Sequence, residues 1–206
     1  YVNNFSCLYN FLKEFPFKSV NIIVMADNVS DETKEKLEKE SSGLDIHYTS
    51  IGSSAGTFHN VFMDSLNLDD DTIVYFLEND YIHAPNSMNA LFDGFDIGAH
   101  YVTLYDHPDK YISSYDYGEP TRVMKGNVCH WKMTISTTMT FAAKVSTLTE
   151  DKDIWIENTG GSYPTDHQAF TQLREKGRTL VSPIPGYSTH GETAWLSPFR
   201  NWGEII

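Results

Sequence analysis

The chain has 206 residues, with 15 Lys and Arg against 28 Asp and Glu and a formal net charge of minus 13. That acidity argues against a nucleic-acid binder, because neutralising phosphates needs a basic surface. At 40% hydrophobic and 14% aromatic residues, the chain is too apolar for an acidic disordered tail and long enough for one compact domain.

No window approaches the roughly 20 unbroken apolar residues of a membrane span, and no charged-then-apolar leader opens the chain. The sequence reads as soluble, unsecreted and cytoplasmic. Cys7 and Cys129 lie far apart without Cys-x-x-Cys spacing. They suggest free thiols in a reducing compartment rather than a disulfide framework or a zinc ribbon.

Tyr1 to Asn4 reads as the end of a strand whose start lies before residue 1. Leu8, Phe11, Leu12 and Phe15 recur at helical spacing, and Pro16 stops that helix. Val20 to Met25 is a β-branched run expected as a buried strand, ending in Ala26-Asp27-Asn28. A helix is predicted from Ser30 or Asp31 to Gly43, with acidic residues in its first turn and Glu/Lys pairs on a solvated face. Leu44 to Ile51 alternates as a strand, residues 52–56 turn, and Phe58, Val61, Phe62 and Leu66 mark the next helix. Asp69 to Asp71 is a polar turn. Thr72 to Leu77 is the strongest strand and runs directly into Glu78-Asn79-Asp80. After Pro85, Met88, Leu91, Phe92 and Phe95 repeat the helical spacing.

This alternation predicts an α/β fold with a Rossmann-like, mostly parallel central sheet and helices on both faces over residues 1–98. The half from 99 to 206 is less regular. It offers a strand at His100 to Tyr105, a polar and aromatic stretch from Asp106 to Lys132, and a strand at Thr137 to Ala143. A helix follows from about Thr165, with Ala169, Phe170 and Leu173 on one face and Gly177 as its stop.

Ligands of open parallel sheets bind at the carboxyl ends of strands. Three such ends carry polar residues: Asn3/Asn4, Asp27/Asn28 and Glu78-Asn79-Asp80. Two carboxylates so close after an apolar strand are costly unless a cation or a bound proton offsets their repulsion, although a solvated loop would also tolerate them. Gly52-Ser53-Ser54-Ala55-Gly56 matches the G-x-S-x-G nucleophile elbow, and the order Ser54, Asp166, His190 is that of an α/β-hydrolase. No His-Gly-Gly segment lies upstream, however, and the hydrolase reading leaves Glu78 and Asp80 unexplained. The alternative is a glycine-rich turn into the helix carrying His59 and Asn60, near phosphates or sugar. His190 lies in a late loop from which an imidazole could reach a metal ion. Asp166 opens a helix, and a plain N-terminal acid is its simplest role.

Taken in order, these segments resemble the GT-A nucleotide-sugar glycosyltransferases, in particular the inverting type related to family 2. The resemblance rests on Tyr1-Val2-Asn3-Asn4, on Asp27 in Met25 to Asp31, on Gly56-Thr57-Phe58-His59-Asn60 and on Glu78-Asn79-Asp80 in place of Asp-x-Asp. It extends to Thr165-Asp166-His167-Gln168-Ala169-Phe170 and to His190. It implies a single domain, with nucleotide-sugar binding in residues 1–98 and acceptor binding and catalysis in 99–206. It further implies a UDP-sugar donor, a glycan acceptor, and Mn²⁺ or Mg²⁺ held by Glu78, Asp80 and His190. Asp166 would be the general base, and Tyr1, Asn3, Asp27, Gly56, His59, Asn60 and Asn79 would line the donor site. Trp131, Tyr115 and Tyr117 would stack on acceptor sugars, the alternative being that they pack in the core or a loop. The chain is also similar to glycosyltransferase domains of multidomain viral polypeptides, which implies further domains and a host cytoplasm. A non-catalytic module that binds sugar or nucleotide is the remaining alternative.

Overall fold

The computed structural model describes residues 2–40, 43–112 and 122–205. Tyr1, Tyr115 and Tyr117 therefore lie outside the described residues. In chain order the elements are α1 (Asn4–Glu14), β1 (Ile23–Asp27), α2 (Asp31–Glu40), β2 (Asp45–Thr49), α3 (Ser54–Ser65), β3 (Ile73–Phe76) and β4 (Tyr81–His83). They continue with α4 (Ser87–Asp96), β5 (Tyr101–Val102), β6 (Val123–Lys125), β7 (His130–Thr134), β8 (Phe141–Lys144), α5 (Val145–Glu150), α6 (Lys152–Glu157), α7 (Asp166–Glu175), β9 (Leu180–Ile184) and β10 (Ser188–His190). Asn3 ends no strand: it caps α1, its Oδ1 accepting the Ser6 amide at 2.9 Å.

The fold is mixed α/β, but the expected mostly parallel sheet is not what forms. The main sheet has six strands in the order β3-β8-β5-β9-β7-β6. Only β5 and β9 pair in parallel within it. The parallel β1-α2-β2 unit makes a separate two-stranded sheet. The reason is β8, which arrives from the irregular half and inserts antiparallel between β3 and β5. The strand and helix alternation of the first half therefore never extends into one continuous parallel sheet.

Helices do cover both faces. Successive strand residues point to opposite faces, and the two main core clusters divide that way. Tyr101, Phe141, Ala143 and Leu180 belong to one, with Phe62, Trp155 and Phe170. Val102, Ala142 and Val181 belong to the other, with Phe15, Leu91 and Trp131. Trp131 is thus a core residue, fully buried, with its Nε1 donating to Asp93 at 2.8 Å. It cannot stack on an acceptor sugar.

A third, two-stranded sheet pairs β4 with β10 antiparallel. Residues 186–191 are therefore partly strand rather than a flexible loop. Asn10 of α1 tethers β4 through its side-chain amide: its Oδ1 accepts the His83 amide at 2.6 Å, and its Nδ2 donates to the His83 carbonyl at 3.0 Å.

The Trp155 indole stacks on Phe141 at a centroid distance of 4.7 Å in the densest aromatic cluster. Trp155→Ala is expected to cost about 3–5 kcal/mol in urea unfolding. A loss below about 1 kcal/mol would show that this cluster does not anchor the helical layer.

Candidate functional site

The β4 and β10 pairing builds the first half of the site. After β3 the chain turns through residues 77–80 and enters β4, and β10 places His190 opposite Tyr81. This register brings His190 Nε2 to 3.1 Å from Asp80 Oδ2. The Glu192 amide donates to His190 Nδ1 at 3.2 Å, so Nε2 carries the proton and donates to Asp80. Gly191 permits the approach: a Cβ there would stand 2.7 Å from the Asp80 carbonyl oxygen. The other Asp80 oxygen, Oδ1, is buried and without a hydrogen-bond partner.

Asp166, the first residue of α7, supplies the second half. Its Oδ2 accepts the amides of Thr137 at 2.8 Å and Thr138 at 2.9 Å. It is therefore more than a helix-terminal acid, because it clamps a turn 28 residues away. In that turn Thr138 and Met139 have φ of 50° and 56°, a left-handed conformation that costs roughly 1–3 kcal/mol for each non-glycine residue. The Tyr81 hydroxyl also donates to the Thr138 carbonyl, at 3.4 Å.

Glu78 faces both Asp80 and Asp166. Its carboxyl is pushed up to about 7, first by burial and then by the charges of Asp80 and Asp166. Asn79 is exposed at the tip of the same turn. The structure thus brings together Glu78, Asp80, Asp166 and His190, residues drawn from both halves of the chain. Neighbouring carboxylates of this kind repel one another and favour a bound proton or cation.

The residues expected along the donor are placed elsewhere. Asp27 turns back on its own chain: Oδ1 accepts from Thr49 Oγ1 at 3.0 Å and the Ile51 amide at 2.6 Å, and Oδ2 accepts the Gly52 amide at 2.8 Å. Burial pushes this carboxyl up, but the Ile51 and Gly52 amides and the Thr49 and Thr57 hydroxyls together hold it below its ordinary value. Ser53 caps α3 by accepting the Gly56 amide at 3.2 Å. A phosphate at this helix start would compete with Ser53 and Asp27 for those amides. His59 Nδ1 lies 3.1 Å from Thr159 Oγ1. Asn60 is exposed and lines a cleft of about 490 Å³, together with Met25, His47, Tyr48 and Thr49. Asn3 is occupied as the α1 cap.

The hydrolase arrangement does not assemble. Ser54 Oγ donates to the Ser162 carbonyl at 3.5 Å, His190 is bonded to Asp80, and Asp166 is bonded to Thr137 and Thr138. Carboxylate oxygens such as the unpartnered Asp80 Oδ1 are the ligand type that a hard divalent cation takes. Even so, among the described residues no group of three or more His, Cys, Asp or Glu is arranged around one ion position. Both cysteines are free. Among the described residues no helix is long and apolar enough to cross a membrane. No known protein family profile matches the chain, and no functionally curated protein matches it in sequence.

Because its folded pKa is raised, Glu78 favours the folded state at low pH and becomes a cost as pH rises from the ordinary carboxylate range through about 7. Glu78→Gln is expected to raise stability at pH 8 by up to about 3 kcal/mol, with the gain vanishing near pH 4. Equal melting curves for both proteins at pH 8 would show that Glu78 is not crowded by Asp80 and Asp166.

Proposed function

We propose that the chain is a metal-dependent glycosyltransferase of the GT-A type, moving a hexose-type sugar from a UDP-sugar to a glycan hydroxyl with inversion. The observation that carries this reading is the convergence of Glu78, Asp80, Asp166 and His190, from the β3–β4 turn, the start of α7 and the end of β10. The six-stranded mixed sheet, with helices on both faces, is a suitable support for such a site.

In this reading Asp80, Glu78 and His190 hold Mn²⁺ or Mg²⁺. When bound, the ion supplies positive charge against the diphosphate leaving group. His190 would have to release the Nε2 proton it now shares with Asp80 in order to become a ligand. Asp166 takes the proton of the attacking hydroxyl at Oδ1, while the Thr137 and Thr138 amides fix the carboxylate through Oδ2. Asp27 shapes the start of α3, and the donor nucleoside lies along Asp27, His59, Asn60 and the adjoining cleft. Gly56 keeps the first turn of α3 close-packed, since a Cβ there would meet Ile51 at 2.6 Å.

A thermal-shift panel of nucleotide sugars, run with Mn²⁺ and with EDTA, tests donor and metal together. A UDP-sugar should raise the melting temperature only with the cation, and tight binding in EDTA would overturn the metal assignment. Asp166→Asn keeps an acceptor oxygen for both amides. It should bind UDP-sugar normally and lose transfer by about 10²-fold or more. Retained turnover would remove Asp166 from the role of base. Binding without any release of UDP by the wild type would identify a binding module instead.

A further inference from the structure

A short 3-10 turn, Pro108–Tyr111, packs beside a second segment, residues 195–199. The His107 and Trp195 rings lie 5.4 Å apart, and Tyr111 meets Phe199 edge-on at 5.0 Å. The outer surface of this pairing carries Trp195, 38% exposed, Phe199, 70% exposed, and Tyr111, 44% exposed. Single exposed aromatics are ordinary, but three on two abutting segments form a patch.

The patch is built rather than incidental. The Trp195 carbonyl accepts the hydroxyl of buried Tyr105 at 2.6 Å, and its amide donates to the Glu192 carbonyl at 2.9 Å. The Ser197 amide donates to Thr189 Oγ1 at 2.7 Å, fixing the segment to β10. Arg200 is held by the Gly186 carbonyl at 2.9 Å and lies over the Tyr187 ring. Between these anchors Phe199 has φ of 66°, which is strained for a bulky residue and turns its ring outward.

The patch also connects to the acidic site through a series of rings. Centroid distances are 5.4 Å for His190 to Tyr81, 5.4 Å for Tyr81 to Tyr105 and 5.1 Å for Tyr105 to His107, and Trp195 follows. Polar groups border it: Asp109, paired with His107 at 2.7 Å, and exposed Glu192. Flat apolar faces with a polar rim match a pyranose, whose ring face is apolar and whose edge carries hydroxyls.

We propose that Trp195 and Phe199, supported by Tyr111, are the stacking platform for the sugar rings of the acceptor glycan, an assignment that rests on the glycosyltransferase reading above. It gives these residues the role that the sequence suggested for Trp131. Trp195 is well placed to report on it, since the other three of the four tryptophans, Trp131, Trp155 and Trp202, are buried. Acrylamide quenching of tryptophan fluorescence therefore reads Trp195.

The probe is a panel of trisaccharides ending in glucose, galactose, mannose or xylose, added without nucleotide or metal. At least one should roughly halve the quenching constant by covering the indole, and Phe199→Ala should abolish that protection without lowering the melting temperature appreciably. In transfer assays Trp195→Ala should raise the KM for acceptor about 3- to 10-fold, with Trp195→Phe close to wild type. Hydrolysis of the UDP-sugar by water should not change. Unprotected Trp195 across the panel, together with unchanged acceptor KM in both alanine variants, overturns the platform. So does protection that grows with protein concentration in the absence of sugar, which would identify a second copy as the occupant. If trisaccharides protect Trp195 while no nucleotide sugar binds, the platform stands and the transferase reading falls.

Discussion

The two amide hydrogen bonds to Asp166 Oδ2 join the turn before β8 to the start of α7, at the edge of the core in which Met139 packs with Ala169 and Phe170. Through Tyr81 and the Thr138 carbonyl, β4 is tied to the same turn. Hydrogen bonds to a charged carboxylate contribute about 1.5–3 kcal/mol each. The left-handed Thr138 and Met139 together cost a similar amount. The turn is thus held against its own backbone preference by the Asp166 carboxylate, with Tyr81 and the burial of Met139 supporting it. Because β8 lies between β3 and β5 in the main sheet, the acidic site is anchored to the centre of the fold.

Electrostatics decides how that anchored site behaves. Glu78, Asp80 and Asp166 share one region of a chain with a net charge of minus 13, so no general basic field offsets their repulsion. His190 offers one hydrogen bond, to Asp80 Oδ2, and leaves Oδ1 unpartnered. The chain relieves the remainder locally, by raising the proton affinity of Glu78 and by giving Asp166 two backbone donors.

Much of this was legible in the sequence, for identifiable reasons. Helices α1, α3, α4 and α7 announced themselves by apolar spacing, α2 by its first-turn acids and Glu/Lys pairs, and several of them by stops at Pro16, Gly43 and Gly177. Glu78, Asp80, Asp166 and His190 were legible because acidic residues at strand and helix ends, and a late histidine, are chemically conspicuous. The antiparallel insertion of β8 was not legible, since periodicity reports which face of a strand is buried and not which neighbour it takes. The three-residue strands β4, β6 and β10 are too short to show a period. Trp131 could be read as a sugar-stacking ring or as a core residue, because an aromatic face suits either and its flanks, His130 and Lys132, are polar. Only Asp93, 38 positions away, explains its burial by accepting the indole N–H. Similarly, nothing near Asp27 shows that Ile51 and Gly52 will claim its carboxylate.

The tether between Asn10 and His83 has a further meaning for the β4–β10 pair. A sheet of only two strands has two outer borders that another extended chain could take, and here the β10 border is already engaged, the Leu104 carbonyl accepting the Tyr187 and Ser188 amides at 2.8 Å. On the β4 side the Asn10 amide takes the N–H and the C=O of His83 at once, as a neighbouring strand would. A helix side chain thereby masks the segment that connects Asp80 to the core. Tyr81, Ile82 and His83 are buried, so loss of that amide would leave both His83 backbone groups without a partner in the interior and loosen β4, and with it Asp80, from the core.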